Sequence, residues 1–145
     1  MTQDTPAFTI DDLPSTIPMF PLPSALLLPG GNLPLNVFEP RYLAMIDAAL
    51  ASPKRLIGMV QPTENEPTLD RQDQPAPGLF SIGCAGRITY FQETDDQRYL
   101  IALTGVSRFR LLDQRLQLAG FRHAEVDWDE FKTDLQADTS PIDRQ

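Results

Sequence analysis

Short apolar runs, interrupted by proline and glycine, occupy the first part of the chain. Between residues 17 and 38 these runs are cut by Pro18, Pro21, Pro23 and Pro29. Proline is tolerated at the ends and edges of strands because it cannot donate to a ladder. The pattern therefore predicts short strands joined by turns. Gly30-Gly31 predicts a tight turn, and a cradle of backbone amides for an anion is the alternative.

One segment has helical periodicity. Pro40 suits the first position of a helix, and apolar residues follow at i, i+3, i+4, i+7 and i+8, namely Tyr42, Met45, Ile46, Ala49 and Leu50. This spacing predicts a single amphipathic helix that begins at Pro40, runs to about Ala51 and is ended by Pro53. Glu39 and Arg41 are interpreted as anchoring the start of this helix to the sheet.

The strongest strand pattern lies between residues 80 and 128. Alternation predicts one apolar face made by Phe80, Ile82, Cys84, Ile88 and Tyr90. Residues 98–103 are apolar on both faces, which is typical of a strand inside a closed or covered sheet. A last strand starting at Phe121 places Ala124, Val126 and Trp128 on one side. With strands at 33–38 and 55–60, the pattern predicts a mainly β (α+β) domain of about six to seven short strands with one packed helix.

Charge divides the chain into three parts. The net charge is −8, but residues 1–14 carry three acids and no base, and residues 127–145 carry six acids and two bases. Residues 15–126 are close to neutral. We therefore expect a flexible tail at 1–14, one folded domain at 15–126, and an acidic linker or the start of a helical subdomain at 127–145. Residues 61–78, which are acidic and proline-rich, are expected to form a long surface loop.

Composition argues against several classes of protein. An acidic chain without clustered lysines is repelled by phosphate backbones, so nucleic acid is not expected as a partner. No apolar run approaches the roughly 18 residues of a membrane span, and the first ten residues lack the basic region of a signal peptide. Cys84 is the single cysteine, so no disulfide framework or metal cluster is expected. A cytoplasmic location is the simplest expectation.

Catalytic motifs are not found in the sequence. Neither Lys54 nor Lys132 follows the glycines of a phosphate-binding loop, and no serine has the surroundings of a serine–lysine dyad. His123 is interpreted as a surface histidine rather than a base or ligand, and Cys84 as a small core residue rather than a nucleophile. No catalytic residue, metal or cofactor is expected.

Four residues are candidate contacts for a peptide: Tyr90, Phe91, Arg108 and Arg110. Tyr90 and Phe91 fall on opposite faces of one strand, so one is expected in the core and the other outside. Arg108 and Arg110 project to one face, and Arg87 is expected to approach them. The two arginines are expected either to pair with surface acids such as Asp113 or Glu125, or to form a weak patch for carboxylate or phosphate groups.

Two blocks of sequence resemble the amino-terminal substrate-binding domain of the ATP-dependent Lon proteases (the protease La family). The first is Ile17-Pro-Met-Phe-Pro-Leu, continuing through Leu28-Pro-Gly-Gly to Leu33-Pro-Leu-Asn-Val-Phe-Glu-Pro-Arg-Tyr42. The second is Ile82-Gly-Cys-Ala-Gly-Arg-Ile88, followed by Arg98-Tyr-Leu-Ile-Ala-Leu-Thr-Gly105 and Ser107-Arg-Phe-Arg-Leu111. The chain is thus similar to a stand-alone bacterial form of that domain, either a fragment or a minimal member.

The resemblance implies a PUA-like pseudo-barrel that binds unfolded or tagged polypeptides without catalysis, because the ATPase and protease modules of the family are absent from this sequence. A protease or chaperone is a further expected partner. Two alternatives stay open. One is an RNA-binding PUA-like module, and the other is a structural domain that self-associates. The oligomeric state is not predicted.

Overall fold

A curled β-sheet with one helix packed against it forms the body of the domain. The computed structural model describes residues 12–22, 25–62, 68–69, 75–76 and 81–136. The strands are β1 (Thr16–Pro21), β2 (Asn32–Val37), β3 (Leu56–Val60), β4 (Thr68–Leu69), β5 (Pro75–Ala76), β6 (Ile82–Glu93), β7 (Tyr99–Leu116) and β8 (Arg122–Asp127). The helices are α1 (Pro40–Ala51) and the short α2 (Lys132–Gln136), which follows a 3-10 turn at Asp129–Phe131.

Six strands form a sheet that closes on itself. Their order is β2-β7-β6-β3-β1-β8, and β8 also pairs with β7. Strands β1 and β3 are parallel, whereas the other pairs in the sheet are antiparallel. The pairing of β7 with β8 completes a ring of five strands, and β2 lies outside the ring against β7. The prediction of a mainly β pseudo-barrel with one packed helix is confirmed.

Two apolar clusters fill the domain. One lies under α1, where Met45, Ile46 and Ala49 have no exposed surface and pack against residues of the sheet such as Ile57 and Leu103. The other lies inside the ring around Phe109, with Ile17, Met19, Ala124, Val126 and Trp128. The predicted helix and the predicted apolar face of the last strand are therefore both confirmed.

The predicted face of β6 is partly wrong. Cys84 and Ile88 are buried as expected, but Ile82 and Tyr90 are exposed. Tyr90 follows two register shifts, between Ala85 and Gly86 and between Ile88 and Tyr90, and a bulge adds an unpaired residue and changes which side the next side chain faces. Ile82 precedes both shifts and is exposed as the first residue of the strand. Past Ile88, every residue of β6 is exposed.

Glu39 and Arg41 bind each other rather than the sheet, which corrects the expectation that they anchor the helix. The Arg41 Nε donates to Glu39 Oε1 at 3.2 Å, and both side chains are exposed. The helix start is held instead by the Glu39 carbonyl, which accepts from the amides of Tyr42 and Leu43 at 2.9 Å.

Three predictions fall wholly or mostly outside the described residues. They are the tail at 1–14 before residue 12, the loop at 61–78 except for residues 61–62 and the paired strands β4 and β5, and the place of Phe80 on the β6 face.

The Pro29-Gly30-Gly31 turn is confirmed, and it is fixed against β7. The Gly31 amide donates to the Leu28 carbonyl at 2.8 Å, and Gly30 has a φ of +81°, as the third position of a type II turn requires. The Gly30 amide donates to the Gly105 carbonyl, and the Gly105 amide donates to the Gly31 carbonyl, each at 2.9 Å. A Cβ on Gly105 would lie 2.1 Å from the Leu28 carbonyl oxygen.

Gly105→Ala is expected to lower the free energy of unfolding by about 3 kcal/mol, because the new methyl group collides with backbone that cannot move away easily. Gly30→Ala is the matched control. A Cβ there meets nothing within 4 Å, so only its positive φ costs stability, about 1 kcal/mol. Urea unfolding followed by the fluorescence of Trp128 measures both. Equal losses in the two variants would contradict the close contact.

Candidate functional site

An apolar groove lies between the segment 25–28 and the ends of β3 and β6. Its volume is about 320 Å³, and its lining includes Leu26, Leu28, Val60, Ile82, Gly83 and Arg108. The side-chain amide of Gln61 donates to the Ala25 carbonyl at 3.1 Å and joins the two sides of the groove. Most of the wall is hydrocarbon, so the groove suits an apolar ligand.

Three large apolar side chains on this groove are exposed to solvent. Leu26 is 68% exposed, Leu28 is 55% exposed and Ile82 is 42% exposed, whereas Leu27 between the two leucines is buried. The alternation follows from an extended backbone, in which successive side chains point to opposite sides. Exposed apolar groups that cluster at one place mark an interaction surface.

Sequence reasoning missed these groove residues. The pattern predicts short strands for the apolar runs of residues 17–38, which include Leu26-Leu27-Leu28, but residues 25–28 form no strand. A usable signal was present, because three successive leucines in an extended segment cannot all face the same core. The exposure of Ile82 had no comparable signal, since it depends on where β6 begins relative to the neighbouring segments.

Tyr90 and Phe91 lie far from the groove, and the expectation that one of them is in the core is wrong. Tyr90 is 52% exposed and Phe91 is 38% exposed. The Tyr90 hydroxyl donates to Gln92 Oε1 at 2.6 Å, and the Phe91 ring packs edge-on against Tyr99 at 4.8 Å between centroids. Both residues lie after Ile88, where every residue of β6 is exposed.

Arg108 and Arg110 of β7 bind carboxylates in the 3-10 turn and in α2, and they hold these helical residues against β7. Arg108 donates from Nε and Nη2 to the two carboxylate oxygens of Asp134 at 3.0 and 2.9 Å, and its backbone amide adds a third bond at 3.0 Å. Arg110 donates to both oxygens of Glu130 at 2.7 and 2.8 Å. The partners are therefore Asp134 and Glu130 rather than Asp113 or Glu125. Paired guanidinium and carboxylate groups of this geometry give strong, directional contacts.

The four predicted peptide contacts do not form one site. Cys84 of β6 is opposite Arg108, while Tyr90 is opposite Ala102. Six residues of strand separate Ala102 from Arg108, which corresponds to roughly 20 Å at the rise of a β-strand. Of the four residues, Arg108 lines the groove. Arg87, expected near the two arginines, is opposite Leu56 and Thr104 on another part of the sheet.

The positions of Cys84 and His123 do not suit them to act as a nucleophile and a base. Cys84 is 3% exposed, and burial, reinforced by the charge of Asp134, raises the pKa of its thiol to about 12. His123 is half-buried beside Phe121, and burial lowers the pKa of its imidazole. Within the described ranges, no group of three or more metal-ligating side chains is found, and no helix is long and apolar enough to span a membrane.

Comparison with known proteins places this fold in a known class, the PUA-like amino-terminal domains of Lon proteases. A crystal structure of a Lon N-terminal domain protein from Xanthomonas campestris is 30% identical and superposes with a TM-score of 0.57, covering 78% of this chain and 59% of that one. The N-terminal domain of the Mycobacterium avium complex Lon protease is 18% identical, with a TM-score of 0.60, and covers 78% and 54% of the two chains. The second likeness concerns the fold alone.

The family model for the ATP-dependent protease La (LON) substrate-binding domain matches residues 16–143. The chain belongs to this family. It is 31% identical to Lon protease 2 of Myxococcus xanthus over 123 residues, which is 85% of this chain and 14% of that protein. It is 32% identical to the Lon protease of Desulfosudis oleivorans over 103 residues, or 70% and 12% of the two chains. The chain thus spans about a seventh of these relatives and matches their substrate-binding domain, not the ATPase or protease modules.

Asp134→Asn is expected to lower the free energy of unfolding by about 1 to 2 kcal/mol at pH 7, since a carboxylate that accepts several bonds from arginine is lost. Burial alone would raise the pKa of Asp134, but the hydrogen bonds and charge of Arg108 outweigh it and hold the pKa below its ordinary value. A lowered pKa contributes stability above the unfolded pKa and loses it as the pH falls through the folded pKa.

The difference between wild type and Asp134→Asn should therefore be complete at pH 7 and shrink as the pH falls below about 4. Urea unfolding at a series of pH values measures it. Glu130→Gln is the control, because the exposed pair with Arg110 should contribute less. A loss that stays constant down to pH 3 would show that the carboxylate charge is not the cause.

Cys84 is expected to resist alkylation in the folded domain. With a thiol pKa of about 12, the thiolate fraction at pH 8 is roughly a thousandfold lower than in the unfolded chain, whose cysteine has an ordinary pKa. Iodoacetamide labelling followed by mass spectrometry, with and without 8 M urea, compares the two rates. Rapid labelling without urea would contradict the buried position.

Proposed function

We propose that this domain is a non-catalytic module that binds exposed apolar segments of unfolded or tagged polypeptides in the groove at Leu26, Leu28 and Ile82. The observation that carries the proposal is the exposure of these three side chains on one concave surface. Membership of a substrate-binding family gives the same class of ligand. The domain would present a bound chain to a protease or chaperone partner in the cytoplasm.

Because its walls are mainly apolar, the groove can accept many different peptide sequences. Hydrophobic burial is not directional, so any segment with a few suitably spaced apolar side chains can be accommodated. Burying one leucine side chain contributes about 1.5 to 3 kcal/mol, but ordering a flexible chain and losing its free motion offset much of this gain. We therefore expect affinities on the order of micromolar or weaker.

Binding by strand addition is less favoured than binding in the groove. Strand β2 pairs with β7 and lies at the end of the sheet order, so its other side is an edge among the described strands. Pro34 lies in the middle of β2, and proline removes a backbone donor that an added strand would need. A ligand that depends on a continuous main-chain ladder is therefore not favoured here.

RNA binding has little support from the charge distribution. Among the described residues, Arg41, Arg98, Arg108 and Arg110 each pair with a carboxylate. A nucleic-acid interface instead needs cations that can neutralise phosphates. A structural role through self-association would use the same exposed apolar side chains, so it is tested together with polypeptide binding.

The double substitution Leu26→Ser/Leu28→Ser is expected to weaken polypeptide binding about tenfold or more, because the apolar area that the ligand covers becomes polar. Fluorescence anisotropy with labelled, reduced and carboxymethylated lactalbumin, a permanently unfolded chain, measures the affinity. Stability should change little, since both leucines are exposed.

Leu118→Ser is the matched control, because Leu118 is fully exposed on the β7–β8 turn and does not line the groove. It should bind as the wild type does. Unchanged binding in the double variant would remove the groove from the proposal. Self-association in light scattering that the double variant abolishes, without any binding of lactalbumin, would favour the assembly role.

A further inference from the structure

The floor of the apolar groove is made by three adjacent strands. Met59 of β3 is opposite Cys84 of β6, and Cys84 is opposite Arg108 of β7. Residues that are opposite each other on neighbouring strands point to the same face of the sheet. These three side chains therefore form one row across the floor, and all three line the groove. Arg108 thus brings a guanidinium group to a surface that is otherwise mostly apolar.

An extended polypeptide that enters this groove loses water from its backbone as well as from its side chains. A carbonyl oxygen that is moved into apolar surroundings without a hydrogen-bond donor costs free energy. Strand β6 lies between β3 and β7, and its backbone groups pair with those two strands. At the floor of the groove, a donor for a ligand carbonyl therefore has to come from a side chain.

Arg108 has hydrogen-bond donors that its own contacts do not use. A guanidinium group carries five N–H groups, and the bonds to Asp134 use one on Nε and one on Nη2. The Arg108 side chain is 46% exposed, so the remaining N–H groups are open to solvent or to a ligand. By contrast, the Gln61 side chain already donates to the Ala25 carbonyl at 3.1 Å, and the Cys84 thiol is a weak donor.

The Arg108 guanidinium is held in one orientation before any ligand binds. It donates to the two oxygens of Asp134 at 3.0 and 2.9 Å, and the backbone amide of Arg108 donates to the same carboxylate at 3.0 Å. The guanidinium carbon also lies 4.8 Å from the centre of the Phe131 ring. A donor that is already ordered loses little further freedom when a ligand binds, so the contact costs less entropy.

The pair with Asp134 also decides which kind of acceptor suits Arg108. The adjacent carboxylate compensates the positive charge of the guanidinium, so the pair is formally neutral. An anionic group of a ligand would be repelled by Asp134 at the same short range at which Arg108 attracts it. A neutral backbone carbonyl meets no such repulsion, and it gains a hydrogen bond from a charged donor, which is stronger than one between neutral groups.

Arg108 lies within reach of a chain that packs on the exposed apolar side chains. Ile82 is opposite Arg110, which is two residues along β7 from Arg108. Residues in this diagonal relation are about 7 to 8 Å apart, roughly the length of two residues of an extended chain. A polypeptide with one side chain on Ile82 can therefore place a backbone carbonyl near Arg108 within a residue or two.

We propose that Arg108, positioned by Asp134, donates a hydrogen bond to a backbone carbonyl of the polypeptide that lies in the groove. This inference rests on the proposed function and deepens it, since the ligand class becomes extended polypeptide rather than any apolar compound. Arg108 contacts the ligand, whereas Asp134 is a positioning residue that acts through Arg108.

Two neutral ligands separate the hydrogen bond from apolar contact. One is a labelled ten-residue peptide of leucine, alanine and serine with both termini blocked, measured by fluorescence anisotropy. The other is N-phenylnaphthylamine, an apolar dye without a carbonyl group, whose fluorescence rises when it leaves water. Arg108→Met/Asp134→Asn removes the donor together with its carboxylate partner, so no unpaired charge is left. This variant should bind the peptide about tenfold more weakly and the dye as the wild type does.

Arg110→Met/Glu130→Gln is the matched control. It removes an arginine–carboxylate pair of the same kind, two residues along the same strand, and Arg110 does not line the groove. It should leave both affinities unchanged. Asp134→Asn alone keeps the guanidinium but loosens its position, so it should weaken peptide binding by about threefold without changing dye binding. Urea unfolding followed by the fluorescence of Trp128 checks that each variant is folded.

Equal losses for the peptide and the dye in Arg108→Met/Asp134→Asn would show that the pair only shapes the groove, and they would overturn the proposed contact. An unchanged affinity for the peptide would overturn it as well. Failure of the proposed function gives a different result, because the wild type then binds neither ligand, or Leu26→Ser/Leu28→Ser leaves both affinities unchanged.

Discussion

The pairing of β7 with three other strands is the constraint on which the rest of the fold depends. This strand of 18 residues pairs with β2 at its start, with β6 over much of its length and with β8 at its end. Strand β8 is connected to β6 by pairing through β1 and β3, so the pairing of β7 with both β6 and β8 closes the ring. Backbone groups that would otherwise be unpaired at a sheet edge are then hydrogen-bonded. Phe109, near the middle of β7, is then enclosed with no exposed surface. Gly58 and Gly83 leave the room that its ring occupies.

Closure of the sheet also decides where the apolar groove lies. The parallel pair of β1 and β3 ends at one end of the barrel, and the chain leaves both strands there. The apolar groove lies beside this exit, where Val60 and Gln61 line it. The segment 25–28 is carried to the rim because the following turn is fixed to Gly105 of β7. The same strand that closes the core thus sets the position of the exposed leucines.

Sequence patterns predicted the parts of the fold that depend on local periodicity. The helix at 40–51, the turn at Gly30 and the buried face of β8 follow from spacing and backbone preference, and each is present. The exposure of Tyr90 was not predictable, because the bulges that precede it depend on strand pairing. The exposure of Ile82 depends on where β6 begins in the folded domain. The bond from the Trp128 indole nitrogen to the Pro14 carbonyl, at 2.8 Å across 114 residues, also depends on tertiary structure. Strand periodicity placed Arg108 and Arg110 outside, but it could not identify Asp134 and Glu130 as their partners.

Pro34 in β2 affects the risk of aggregation that an exposed apolar surface creates. A domain with solvent-exposed leucines beside a sheet risks seeding fibril growth, since unfolded chains that collect there can extend any open strand. Pro34 leaves the outermost strand without one of the amides that a growing fibril would need. Under the function proposed above, the domain would hold unfolded chains by their side chains while offering their backbones a poor template.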